Sequence, residues 1–151
     1  MFNVLSMAVE QFLLSLIIGG MIILVICVRP LLLKQLARKD QKEVHSLIEE
    51  ISINSWNRYN KVAFVAIAII LVLDIMQFII EKNLSYWNLV LEVIVLLLFL
   101  LKLIVDKSLI KRLSQYGNDA VHSSEQKSEH RLMELVSIVI LLLAIILLFL
   151  Q

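Results

Sequence analysis

Four long apolar stretches decide what this chain can fold into. They run from about Ala8 to Val28, Val62 to Ile80, Tyr86 to Val105 and Leu132 to Leu150. A hydrocarbon core of about 30 Å is crossed by roughly 20 helical residues. Lipid offers no partner to the backbone, so only helices or closed barrels cross it. Barrel strands alternate polar and apolar residues, whereas these stretches are apolar on every face, so the spans are expected to be helices. Of the 151 residues 60% are hydrophobic, against about 45–50% apolar in soluble domains. That excess excludes a disordered chain, a disulfide scaffold and an ordinary soluble enzyme. The expected fold is all-α, a single polytopic membrane domain over residues 1–151. It is a four-helix bundle with a cytoplasmic amphipathic helix between spans one and two.

The basic residues orient the spans. Seven lie from Arg29 to Lys61, six from Lys102 to Arg131, and between spans two and three there is only Lys82. The positive-inside rule places both long connections in the cytoplasm. Both termini and the short Glu81–Ser85 turn then face the other side, and a bacterial inner membrane is the expected location. The opening residues MFNVLSMAVEQ lack the basic region and cleavage site of a secretory signal, so the first helix is expected to be retained. Trp56 and Tyr59, and Tyr86 and Trp87, precede spans two and three as aromatic belts would. Val44, Leu47, Ile48 and Ile51 recur at helical spacing among charged residues, which predicts the amphipathic helix. Pro30 should kink or interrupt the chain as it leaves span one. The polar run Gln115 to Ser128, with Gly117-Asn118 as a stop signal, reads as a mobile loop.

Polar residues inside the spans are the candidates for function. Asp74 lies within span two on a stripe with Ala63, Ala66, Ile70, Gln77 and Glu81. A carboxylate in hydrocarbon is costly unless paired, protonated or wetted, so that stripe should face protein. Spans two and three are joined by a short turn and should be antiparallel neighbours. Asp74 and Glu92 are equally distant from the turn's centre, which places them at similar depth, with Asn88 one turn from Glu92. Glu10 and Gln11 fall near the same surface. Three readings of the cluster Glu10, Asp74, Gln77, Asn88 and Glu92 stand side by side. It is a polar pocket in which two carboxylates share a proton or hold a cation, a structural lock on helix register, or a contact with a partner subunit.

Ser15, Gly19 and Gly20 of span one, continued by Met7 and Gln11, form a small-residue stripe that suits close helix packing. On span four, His130, Glu134, Ser137, Leu141 and Ala144 share the expected inward face. No span contains a His, so a haem held by two histidines in the bilayer is not expected. His122, His130, Glu125 and Glu129 match no strong metal template, and Met7 and Met76 read as filler rather than a copper site; the metal assignment is unknown. Cys27 is alone, and a net charge of +1 gives no field for nucleic acid. Phosphate-binding loops, nucleophile elbows and zinc-protease helices are absent. No enzymatic activity and no cofactor are expected.

The stretch GGMIILVICVRPLLLKQLARKDQKEVHSLIEE, followed by NRYNKVAF, resembles the first half of a family of small four-helix membrane proteins of unknown function. That family is distantly related to the membrane part of copper-resistance D (CopD-like) proteins. Gly19, Pro30, Leu31, Leu32 and Tyr59 match its pattern position by position, and His130 matches a His before the last span. The resemblance implies a four-helix inner-membrane protein with a link to copper handling, although the spans here lack His and a Met-rich cluster. The expected function is that of an integral-membrane accessory or structural subunit that docks on a larger complex. Its partners would be the bilayer and a second membrane protein or another copy of the chain. The alternative is a small transporter or a cation- or proton-binding membrane protein.

Overall fold

The computed structural model describes residues 2–36, 42–81, 86–116 and 124–150, and every one of them is helical. Helix α1 covers Phe2–Ile23, a five-residue π turn covers Leu24–Val28, and α2 covers Arg29–Leu36. Helices α3 (Lys42–Glu81), α4 (Tyr86–Tyr116) and α5 (Ser124–Leu150) follow. Four segments are long and apolar enough to cross a membrane: Val4–Leu32, Leu47–Ile80, Tyr86–Tyr116 and Ser128–Leu150. All four expected spans are present, and each lies within a longer helix.

Pro30 does not end the first span. It has no N–H to donate, and its ring collides with the carbonyl four residues earlier. The chain meets both constraints by widening just before it: Arg29 N–H bonds the Leu24 carbonyl, a π-type step. The helix then resumes as α2. The segment expected as a separate amphipathic helix is instead the first part of α3, continuous with span two. At about 1.5 Å per residue, the 40 residues of α3 reach roughly 60 Å, about twice the hydrocarbon thickness. The face of that extension differs from expectation too. Glu49 and Ile53 are buried, whereas Leu47 and Ile51 are half exposed. The expected loop from Gln115 to Ser128 is shortened from both sides, because α4 runs to Tyr116 and α5 begins at Ser124. Gly117-Asn118 and His122 lie outside the described residues.

The helices run antiparallel in sequence order. Ser6 meets Gln77, and eleven residues later Ile17 meets Tyr59, so α1 and α3 are opposed. Asp74 meets Glu92 and Asn60 meets Asp106, which opposes α3 and α4. Lys102 meets Ser137 and Arg112 meets Glu125, which opposes α4 and α5. Helix α1 packs on α3 and α5, and α4 packs on the same two. The helices thus share two ends, one bearing Tyr86 and the other Tyr116.

The core is made by one face of each helix: Leu14 and Ile17; Ala66, Ile67 and Ile70; Val95 and Phe99; Ile140, Ala144 and Leu147. Alanines at 63, 66 and 144 let backbones approach. Outward positions such as Val65, Val72, Leu97 and Phe149 are exposed, as the lipid-facing side of a span should be. Tyr86 and Trp87 are also exposed and suit an interfacial belt. Trp56 and Tyr59 do not belong to the other belt. They meet edge to face, with ring centroids 6.1 Å apart, and Tyr59 donates to the Ile17 carbonyl at 2.6 Å.

The small-residue stripe of α1 is turned the other way. Ser15 is exposed, and a Cβ on Gly19 would find no atom within 4 Å. Neither residue packs helices within the described chain. The buried line of α1 is Ser6, Glu10, Leu14, Ile17 and Met21. Its neighbour in sequence, the Met7–Gln11–Ser15–Gly19 line, is rotated by one residue, or about 100°. The physical reason is Glu10: exposing a carboxyl to lipid costs more than packing two small residues returns. Gly20 alone keeps the expected role, since Tyr59 lies directly over it.

Candidate functional site

Toward the Tyr86 end, α1, α3 and α4 each insert a carboxyl into one layer. Glu10, Asp74 and Glu92 are almost wholly buried, Glu92 completely. Asp74 stands beside both Glu10 and Glu92. Ser6, one turn before Glu10, donates to its Oε1 at 2.6 Å. Gln77 Nε2 bridges α3 to α1, donating to Ser6 Oγ at 2.6 Å and to Glu10 Oε1 at 3.2 Å. Asn88 is buried one turn from Glu92 on α4. Asp74 Oδ1 and both carboxyl oxygens of Glu92 are enclosed and meet no donor among the described residues.

Among the described residues no basic side chain pairs with this layer. Residues 2–28, 62–81, 86–101 and 132–150 contain no Lys, Arg or His. Ionised carboxyls accept hydrogen bonds but cannot donate them, so two facing carboxyls bond only when one carries a proton. Three carboxyls in one layer can share a proton between them.

Past the apolar core lies a second polar layer, facing the Tyr116 end. Its centre is Lys102, fully buried on α4. Lys102 Nζ donates to Ser137 Oγ on α5 at 2.8 Å and stands 4.8 Å from the Trp56 ring centroid on α3. Asp106, one turn along α4, faces Lys102 and accepts from Asn60 Nδ2 at 2.7 Å. Farther out, Arg29 pairs with Glu134 and His130 pairs with Glu49 at 2.5 Å. These groups line one side of a cavity of about 380 Å³ between α1, α3, α4 and α5. Met21, Ile22, Val25, Ile26, Ile138 and Leu141 line its apolar flank.

The expected cluster of Glu10, Asp74, Gln77 and Glu92 is thus brought together, with Ser6 as a member that the sequence reading omitted. The i, i+4 spacing of Ser6 and Glu10 was the available signal. The whole Lys102 layer was also missed as a site. Lys102 and Asp106, again i and i+4 inside an apolar run, were its signal. Of the family-matched residues, Pro30 is exposed beyond the π turn, Tyr59 ties α3 to α1, and His130 is bound to Glu49. Glu125 and Glu129 both pair with Arg112, at 3.0 and 3.2 Å. Met7 and Met76 are exposed. Among the described residues no three His, Cys, Asp or Glu side chains are grouped to hold a metal ion.

Comparison of the chain with protein-family models, with curated proteins and with solved structures finds no match.

Proposed function

We propose that this is a non-enzymatic, proton-binding membrane protein in which the Glu10–Asp74–Glu92 layer takes up and releases a proton as part of transport. Glu92 carries the argument: its carboxyl is fully enclosed, meets no donor among the described residues, and faces a second carboxyl. A proton removes the mutual repulsion and supplies the missing donor in one step. Three carboxyls on three different helices also give protonation a mechanical lever, since their repulsion acts between α1, α3 and α4. Ionisable groups inside spans commonly mark such proton relays. In this reading the chain is a four-helix inner-membrane bundle. Its basic connections are cytoplasmic and the carboxyl layer sits in the outer half of the membrane.

The test is infrared difference spectroscopy of the protein in lipid, titrated across the near-neutral pH range, beside proton uptake by liposomes carrying it. A protonated-carboxyl band should appear as pH falls and vanish in Glu92→Gln and Asp74→Asn, together with the proton flux. A wild-type protein with no titrating carboxyl, or variants with unchanged flux, would overturn the proposal.

A second reading, a subunit docked on a membrane partner, has its own support. The exposed Leu47 and Ile51 lie on the first part of α3, whose 40 residues are longer than a hydrocarbon core is thick. It predicts that Leu47→Lys with Ile51→Lys releases the chain from any heavier assembly in mild detergent. An unchanged assembly mass would remove that reading. The link to copper handling rests on the family resemblance alone.

A further inference from the structure

The cavity beside Lys102 differs in kind from the carboxyl layer. It holds charges of both signs, and its mouth opens sideways. Of its apolar lining, Ile22 is 39% exposed, Val25 40%, Ile26 66% and Ile138 53%. These four line the cavity and also stand on the outer surface, three of them in or beside the π turn of the first span and one on α5. A molecule entering there comes from the bilayer rather than from water. Toward the Tyr116 end the lining carries Arg29, Glu134, His130 and Glu49, and these belong to the ends of spans one and four and the extension of α3. Along the first span and α5 the lining passes inward from Arg29, His130 and Glu134 to Ile22, Ile138 and Leu141, the order of a lipid's headgroup and chains, while Asp106 and Lys102 on α4 stay sealed at the inner end.

We propose that this cavity binds one membrane lipid by a zwitterionic headgroup containing a phosphate and a primary ammonium. The charge pattern selects that chemistry. A net anionic headgroup would face Glu49 and Glu134, and a net cationic one would face Arg29 and His130. A zwitterion can set its phosphate toward Arg29 and its ammonium toward Glu134. The Arg29–Glu134 pair is open enough to accept it, with side chains 38% and 43% exposed. Size agrees with a headgroup and the start of one chain. At roughly 30 Å³ per water-sized unit, 380 Å³ holds about a dozen such units. The remainder of the lipid stays along Ile22, Ile26 and Ile138 in the bilayer. The π turn contributes to the mouth directly, because the widened backbone at Leu24–Val28 presents Val25 and Ile26 at its edge.

Native mass spectrometry of the intact chain in mild detergent tests this, with synthetic phosphatidylethanolamine, phosphatidylglycerol and soluble phosphoethanolamine added in turn. One phosphatidylethanolamine should bind per chain, with about tenfold or greater preference over phosphatidylglycerol. The soluble headgroup should not displace it at equal concentration. Ile26→Trp, at an exposed lip, should leave the melting temperature unchanged and abolish the bound lipid; Ile138→Trp is the parallel variant from α5. Equal binding of the two lipids, full competition by soluble phosphoethanolamine, or undiminished lipid in both lip variants would each overturn the proposal.

Discussion

Alanine at Gly19 and at Gly20 should move stability in opposite directions, although the two residues are adjacent in α1. A Cβ on Gly20 would stand 2.7 Å from Tyr59 Cε2 and 3.2 Å from Cδ2. Carbon atoms pack best at about 3.5–4.0 Å, so the ring must move. Its hydroxyl is held by the Ile17 carbonyl at 2.6 Å, and its edge contact with Trp56 restrains the other side. Overpacking of this kind costs about 1–3 kcal/mol, and a lost hydrogen bond about 1 kcal/mol more. Replacing glycine by alanine inside a helix returns about 1 kcal/mol. Gly20→Ala should therefore lose roughly 1–3 kcal/mol. At Gly19 no atom lies within 4 Å of the new methyl, and the helix gain of up to about 1 kcal/mol remains. Unfolding in mixed micelles of dodecyl sulfate and a mild detergent, followed by far-ultraviolet circular dichroism, measures both. Tyr59→Phe frees the ring from Ile17, so Gly20→Ala should cost less in that background. Shifts of the same sign and size at the two glycines would refute the reasoning.

The same assay tests three further expectations. Lys102→Met leaves Asp106 buried without its cation and should cost about 3–5 kcal/mol; adding Asp106→Asn should recover most of the loss, and no recovery would mean that Asp106 does not need Lys102. Ser6→Ala removes the donor to Glu10 and the acceptor of Gln77, and about 1–3 kcal/mol should go with them. Glu134→Gln should cost less than about 1 kcal/mol, because the Arg29 pair is partly exposed, and added salt should narrow the difference.

The carboxyl layer was legible because two sequence rules converge on it. A short turn makes spans two and three neighbours, and equal counts from that turn set Asp74 and Glu92 level. The cost of a bare carboxyl in hydrocarbon then requires both to face protein. The stripe Ala63, Ala66, Ile70 and Asp74 is buried along its length for the same reason. The rotation of α1 was harder to read. Its small-residue line and its Glu10 line are one residue apart, and local pattern does not say which outweighs the other. Trp56 and Tyr59 misled in a similar way, since an aromatic residue at a span boundary suits the interface until a partner from another helix offers it a bond.

The sequence by itself determined the number of long apolar segments, their helical nature and the level pairing of Asp74 with Glu92, because hydrophobic length, a short turn and the expense of charge in lipid act within neighbouring segments. Only the tertiary structure decided which face of α1 turns inward, that Lys102 meets Ser137 and Trp56, and that a cavity opens beside the π turn. Those features depend on the rotation of each helix about its own axis. That rotation is set by contacts between segments distant in the chain, which no single stretch of sequence contains.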